Sequence, residues 1–130
     1  MLKYMSDKKT VLIAEDEEAM LDALCNKFKK AGFEVFRAVD GEEAYNGAMA
    51  NKPDLVMLDV LMPKMDGMTV MRKIRSDQAW GNKVPMIVLT NLSDRESMDE
   101  AKQNDVSYLV KTECKLEDVI NLANKKTNNL

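Results

Sequence analysis

Apolar positions along the chain follow two alternating rhythms. Val11-Leu12-Ile13-Ala14 is an unbroken apolar run with β-branched members and no helical period, which predicts a strand. From Glu17 the period changes. Met20, Ala23, Leu24, Phe28 and Ala31 share one helical face, and Gly32 follows where such a helix should end. FEVFRA (33–38) alternates as a strand does, and DGEEAYNGAMA (40–50) resumes helix until Pro53 stops it. LVML (55–58) is a third strand. Gly67 opens a third helix with Val70, Met71 and Ile74 inward, and the Gly and Pro of QAWGNKVP (78–85) mark a loop. MIVLT (86–90) is the fourth strand. Ser93 and Glu96 have capping-box spacing and predict a helix starting near 94, anchored mainly by Met98 and Ala101. VSYLV (106–110) is the fifth strand, and Leu116, Val119, Ile120 and Ala123 stripe a last helix.

Strands alternating with helices predict an α/β fold whose parallel sheet is covered on both faces. Three of the strands are apolar throughout, as central parallel strands are. Residues 1–9 read as a polar lead-in, 10–126 as one folded unit, and 127–130 as a tail expected to fray. Ligands of such sheets sit beyond the carboxyl ends of the strands, so those ends matter most.

Each strand but the second closes on polar groups. The first ends on Glu15 and Asp16, the third on Asp59, the fourth on Thr90 and the fifth on Lys111. One acid after a strand is usually a helix cap or a solvated loop residue. In a parallel sheet, however, all these ends point the same way and the groups converge. Three close carboxylates repel unless a cation joins them, and hard oxygen ligands suit Mg2+, for which Mn2+ could substitute. The Lys supplies a point charge for a phosphoryl oxygen and the Thr a hydrogen bond. Together they form a clamp for phosphoryl-transfer charge, in which one carboxylate can act as nucleophile.

Composition narrows the chemistry further. The 130 residues are 45% hydrophobic and 32% charged, a globular balance sized for one domain. A formal net charge of −3 argues against direct nucleic acid binding. The chain has no His, which excludes Ser-His-Asp, Cys-His and His-metal sites. Cys25 and Cys114 follow no ligand spacing and read as free thiols. No apolar run approaches the roughly 18 residues of a membrane span, and MLKYMSDKKT lacks a signal-peptide core, so no membrane contact and a cytoplasmic location are expected. A Ser/Thr/Gly-rich phosphate loop after the first strand, a P-loop and a second Asp two residues beyond Asp59 are all missing. These absences argue against a flavodoxin-type nucleotide binder, a P-loop NTPase and an aspartate-nucleophile phosphatase.

VLIAEDEE, DLVMLDVLMPKMDG, VPMIVLTN and SYLVK, in that order and spacing, resemble the receiver domain of two-component response regulators. The resemblance covers about residues 10 to 126. It is to a receiver alone, in the manner of stand-alone chemotaxis regulators, with a piece of a longer regulator as the other option. It implies a flavodoxin-like doubly wound sheet of five strands in the order 2-1-3-4-5, with five helices. It implies that Asp59 is the phosphoacceptor, served by a sensor histidine kinase or a phosphotransfer protein, and that a downstream protein reads the result. A phosphorylation-dependent homodimer is compatible with it. Asp16 resembles the direct metal ligand, Glu15 the second acidic ligand, and the Leu61 carbonyl the main-chain ligand. Thr90 resembles the switch hydroxyl, Lys111 the phosphoryl-binding ammonium and Tyr108 the aromatic that changes rotamer. Such a chain is not an enzyme on other substrates; it catalyses only its own phosphorylation and slow dephosphorylation. The expected switch moves the face of the fourth helix, fifth strand and fifth helix, and the thin apolar stripe of that fourth helix agrees with a mobile element. The alternative is an unphosphorylated receiver-like scaffold, whose mark would be loss of Asp59, the acidic pair or Lys111; all are present.

Several residues depart from the family pattern. Thr112 stands where a Pro usually follows the Lys. A cis bond before a non-proline costs roughly 2.5–4 kcal/mol, so a trans Lys111–Thr112 bond, or a relaxed loop there, is expected. Asn91 replaces a usually very small residue. Leu61 and Leu92 flank the phosphoryl pocket in the resemblance, and apolar cover at both should hinder an attacking water and lengthen the life of the aspartyl phosphate. Of the many methionines, Met57, Met71 and Met86 lie at core-facing positions and read as adaptable filler, with a partner-facing rim as the alternative for Met62, Met65 and Met68. Trp80 is expected to cover a sheet edge.

Overall fold

The computed structural model describes residues 8–128. Five parallel strands, β1 (Thr10–Ala14), β2 (Glu34–Ala38), β3 (Leu55–Leu58), β4 (Met86–Thr90) and β5 (Ser107–Val110), form one sheet in the order β2-β1-β3-β4-β5. Five α-helices alternate with them: α1 (Glu18–Lys30), α2 (Gly41–Asn51), α3 (Gly67–Arg75), α4 (Arg95–Gln103) and α5 (Leu116–Thr127). The fold class and strand order expected from the sequence are those observed. No helix among the described residues is long and apolar enough to cross a membrane.

Successive side chains of a strand point to opposite faces, and the core divides accordingly. Leu12, Val56, Leu58, Met86 and Val88 pack with Ala44, Val70, Met71 and Ile74 of α2 and α3 and with Ala101 of α4. Val11, Ile13, Leu55, Met57, Ile87 and Leu89 pack with Leu21, Leu24 and Phe28 of α1 and Val119, Ile120 and Ala123 of α5. Each such large side chain, fully buried, contributes about 1.5–3 kcal/mol.

Register fixes where the strands end. Ala14 pairs with both Ala38 and Leu58, and Thr90 pairs with Val110. The ladder runs one step further, with the Glu15 amide donating to Ala38 O at 3.0 Å and the Asp59 amide to Ala14 O at 3.1 Å. The residues just past the strands therefore emerge side by side.

Some elements differ from expectation in detail. The inward face of α1 is Leu21, Leu24, Cys25 and Phe28, while Ala23 and Ala31 are exposed. A helix rotates to bury its largest apolar groups, and Leu21 outweighs two alanines. Asp94, not Ser93, caps α4, its carboxylate accepting from the Ser97 amide at 3.1 Å and hydroxyl at 2.8 Å. Ala101 is the buried residue of that helix. The expected frayed tail is in part helix: α5 runs through Thr127, whose buried hydroxyl donates to Ala123 O at 2.8 Å. Lys9 of the lead-in donates to Asn128 Oδ1 at 2.8 Å. Residues 1–7 and 129–130 lie outside the described residues. Met57, Met71 and Met86 are core residues as expected, but Met68 joins them instead of the rim. Trp80 is half-buried below the amino ends of the central strands β3 and β4, beside Pro53 and Pro85, and not at a sheet edge.

Arg75 closes that lower end. Its guanidinium donates to Val84 O at 2.7 Å, Gly81 O at 2.8 Å, Asn104 O at 2.8 Å and Asp105 O at 3.3 Å. Arg72, one turn earlier on α3, forms a bidentate ion pair with Glu100 of α4.

Candidate functional site

Asp59 stands at the carboxyl end of the sheet, only 7% exposed, and Glu15 beside it is 2% exposed. Burying two carboxylates is costly unless every oxygen is bonded. Here each one is. Asp59 Oδ1 accepts from the Val60 amide at 2.7 Å and Oδ2 from Lys111 Nζ at 3.1 Å. Glu15 Oε1 accepts from the same ammonium at 2.6 Å, and Oε2 from the Glu17 amide at 3.1 Å. The Glu17 amide was not foreseen; a main-chain donor leaves no mark in residue types.

Burial pushes the Glu15 carboxyl above its usual range, against the Lys111 and Glu17 hydrogen bonds, with the Asp59 charge adding to the rise. For Lys111, burial acts to lower the ammonium, but the hydrogen bond to Glu15 and the charges of Asp59 and Glu15 outweigh it and hold the ammonium above its ordinary value. Lys111 is therefore charged and committed to the carboxylates.

Asp16 is exposed and completes the acidic set: one oxygen each from Glu15, Asp16 and Asp59 lie within 4.8 Å of one another. Three carboxylate oxygens on the rim of a solvent-open cavity suit a hard divalent cation that keeps part of its water shell, so the residues present fit Mg2+. The cavity holds about 330 Å3 and is lined by Glu15, Asp16, Glu17, Asp59, Leu61, Thr90, Asn91 and Lys111.

Thr90 ends β4 almost fully buried, and its hydroxyl accepts from the Leu92 amide at 3.2 Å. The carbonyl of the same Leu92 accepts from the Tyr108 hydroxyl at 2.6 Å. Leu92 thus holds Thr90 and Tyr108 by the two ends of its main chain. Burial, with the nearby Asp94 and Asp59 charges, raises the Tyr108 phenol, which keeps it a donor.

The residues singled out from the sequence do not all reach the cavity. Glu15, Asp16, Asp59, Thr90, Asn91 and Lys111 do, as does Leu61, which is 62% exposed at its mouth. Leu92 is not among the lining residues; its side chain packs on the core against which Tyr108 also rests. No cis peptide bond occurs among the described residues, so Lys111–Thr112 is trans as expected, and the chain passes from β5 into a 3-10 turn over Lys111–Glu113. Asp66 caps α3 by accepting from the Thr69 amide at 2.9 Å and takes no part in the cavity.

A family profile described as the response regulator receiver domain matches residues 11–124. The transcriptional regulatory protein PrrA of Mycobacterium tuberculosis is 40% identical over 104 residues, which cover 78% of this chain and 42% of that protein. The alkaline phosphatase synthesis transcriptional regulatory protein PhoP of Bacillus subtilis is 38% identical over 82 residues, covering 63% and 33%. The chain spans about two fifths of the length of the first curated relatives it matches. Among solved structures, the Francisella response regulator 1452 receiver domain superposes with a TM-score of 0.84 at 25% identity, covering 94% of this chain and 98% of that one. A LuxR-family DNA-binding response regulator from Staphylococcus aureus gives 0.83 at 28% identity, covering 92% and 98%.

Proposed function

The chain belongs to the response regulator receiver domain family of two-component signalling, and from that premise we propose that Asp59 accepts a phosphoryl group from a sensor histidine kinase or a phosphotransfer protein. The observation that carries this reading is the convergence of Glu15, Asp16 and Asp59 within 4.8 Å, with Lys111 Nζ 3.1 Å from the Asp59 carboxylate. In the transfer, an Asp59 carboxylate oxygen bonds to phosphorus as the bond from phosphorus to the donor's imidazole nitrogen breaks, and that nitrogen keeps the electron pair. Glu15, Asp16, Asp59 and the Leu61 carbonyl would hold Mg2+, which when bound supplies positive charge against the phosphoryl oxygens.

Lys111 needs no long excursion to follow the new charge. It exchanges a carboxylate for a phosphoryl oxygen within the same cavity. Thr90 gives up its bond from the Leu92 amide, a neutral bond worth about 1 kcal/mol net, and donates to the phosphoryl group, a stronger charge-assisted bond. Freed at its amide end, Leu92 no longer fixes Tyr108, which turns inward. The face formed by α4, β5 and α5 then changes shape and controls a downstream protein or a second copy of the chain. This is a population shift between two packings. A cytoplasmic location, no direct DNA contact by this chain and no catalysis beyond its own phosphorylation and slow dephosphorylation belong to the same reading.

The test is incubation with Mg2+ and acetyl phosphate, followed by mass spectrometry. One added phosphoryl group on Asp59, absent in Asp59→Asn and without divalent cation, is the expected result. No mass gain in the wild type would overturn the reading and favour a receiver-like scaffold that binds its partner unphosphorylated.

A further inference from the structure

The loop that follows Asp59 runs from Val60 to Asp66 without regular structure, and Leu61 is its second residue. Its far end is pinned directly: the Gly67 amide donates to Val60 O at 2.8 Å, and a Cβ on Gly67 would stand 2.0 Å from Asp59 O. Its middle is held by a different element. The Gly41 amide, at the first position of α2, donates to Pro63 O at 3.2 Å. A Cβ on Gly41 would fall 1.7 Å from Met65 O, 2.5 Å from Met65 C and 2.6 Å from Met65 Cβ. The nearest of these atoms are main chain, so they cannot step aside as the end of a flexible side chain could. Between Pro63 and Met65, Lys64 takes a φ of 71° and extends its ammonium to Asp40 Oδ2 at 3.6 Å and Glu42 Oε1 at 3.7 Å. A non-glycine residue in that region persists only where its surroundings hold it. Asp40 is itself fixed, since its carboxylate caps α2 by accepting from the Glu43 amide at 2.8 Å.

We infer that Gly41 is a positioning residue for the cation site: the first turn of α2 is the seat on which the Asp59 loop rests, and the absence of a side chain at 41 sets how Leu61 is presented to the cavity. The inference rests on the reading that the three carboxylates and the Leu61 carbonyl bind Mg2+. Gly41 touches no reacting group. It acts through Pro63 and Met65, and Glu15 and Asp16 owe nothing to it. Any side chain at 41 pushes the loop outward while leaving the carboxylates where they are.

The experiment compares Gly41→Ala with Gly47→Ala, in the same helix, where an added Cβ would meet Leu12 Cδ1, the movable end of a side chain, at 2.9 Å. Mg2+ affinity is read by calorimetry, and amide hydrogen exchange of residues 60–66 is read in metal-free protein. Gly41→Ala is expected to weaken Mg2+ binding by about tenfold, the lower end of what outer-shell changes cost, and to speed exchange of the loop, while Gly47→Ala leaves both as in the wild type. Lys64→Ala, which opens the same clamp from the loop side without a clash, should move both readouts in the same direction by a smaller factor, and it serves if Gly41→Ala does not fold. Wild-type affinity and loop exchange in Gly41→Ala would overturn the inference, as would equal losses in both glycine variants. If the wild type itself binds no Mg2+, the functional reading fails, and the loop-exchange comparison still decides whether Gly41 seats the loop.

Discussion

Lys111 Nζ lies 2.6 Å from Glu15 Oε1, so the ammonium at the end of β5 is held by a buried carboxylate across the central strands β3 and β4. The same ammonium is 3.1 Å from Asp59 Oδ2, so one cation serves both acids. Removing Lys111 leaves Glu15 and Asp59 buried together without a counter-charge. Lys111→Ala is expected to lower stability at neutral pH by roughly 2–4 kcal/mol, near the cost of breaking a buried pair but reduced by the open cavity. Millimolar Mg2+ should return part of the loss, because a divalent cation neutralises the same two acids. Urea denaturation with and without Mg2+ measures both effects, and an unchanged midpoint would refute the pairing argument.

Thr90 and Tyr108 are both bonded to the main chain of one residue, with the Leu92 amide donating to the Thr90 hydroxyl and the Leu92 carbonyl accepting from the Tyr108 hydroxyl. Thr90→Ala and Tyr108→Phe should each cost about 1 kcal/mol of metal-free stability. Their double-mutant cycle should show a coupling of about 0.5 kcal/mol or more, although the two side chains do not bond each other. Strict additivity would show that the Leu92 main chain transmits nothing.

Leu61 stands at the cavity mouth and Leu92 does not line the cavity, so the two leucines should no longer behave alike. Leu61→Asn is expected to shorten the life of the aspartyl phosphate severalfold with little change in stability, because a polar group at the mouth can orient water. Leu92→Glu should cost stability first, since its side chain packs on the core. Phosphate loss followed by phosphoprotein gel, beside thermal melts, separates the outcomes. Equal lifetimes for Leu61→Asn and wild type would remove the apolar-cover argument.

Asp77 offers a pH test away from the cation site. The Gly81 amide at 2.7 Å and the Trp80 amide at 2.8 Å hold its carboxyl below the usual aspartate range. A folded-state value below the unfolded one gives stability that is present above about pH 4, the unfolded value, and is lost as pH falls through the folded one. Asp77→Ala should therefore be less stable than wild type at neutral pH, and the difference should shrink as pH falls below about 4 through the folded value. Trp80 fluorescence on acid titration reports it, and a gap that persists undiminished at the lowest pH would contradict the assignment.

The site was legible because its chemistry sits at strand ends. In a parallel sheet, residue type plus strand order is enough to bring Glu15, Asp59, Thr90 and Lys111 together. What escaped was decided by packing between distant segments. The rotation of α1 that buries Leu21 and exposes Ala23 depends on what the helix meets, not on its own period. Asp94 outcompetes Ser93 as cap by one position, and both carry a suitable oxygen. Leu92 was placed near the phosphoryl pocket by its position in the chain, but the core claims its side chain. The seat of the Asp59 loop on Gly41 joins two segments with no pattern in common, and the Asp40-Gly41 start of α2 reads equally well as an ordinary helix beginning.

Arg75 ties Asn104 O, at the carboxyl end of α4, to Gly81 O and Val84 O beneath the central strands, and the Arg72–Glu100 pair grips α4 slightly further along. At the opposite end of α4, Asp94 caps the helix by accepting from Ser97. Mechanically this is a rod clamped at one end. If phosphorylation displaces Thr90 as proposed, the end held near residue 104 would act as the fulcrum of any movement of α4. Such a displacement would grow with distance from that point, and the first turn of α4 would travel furthest.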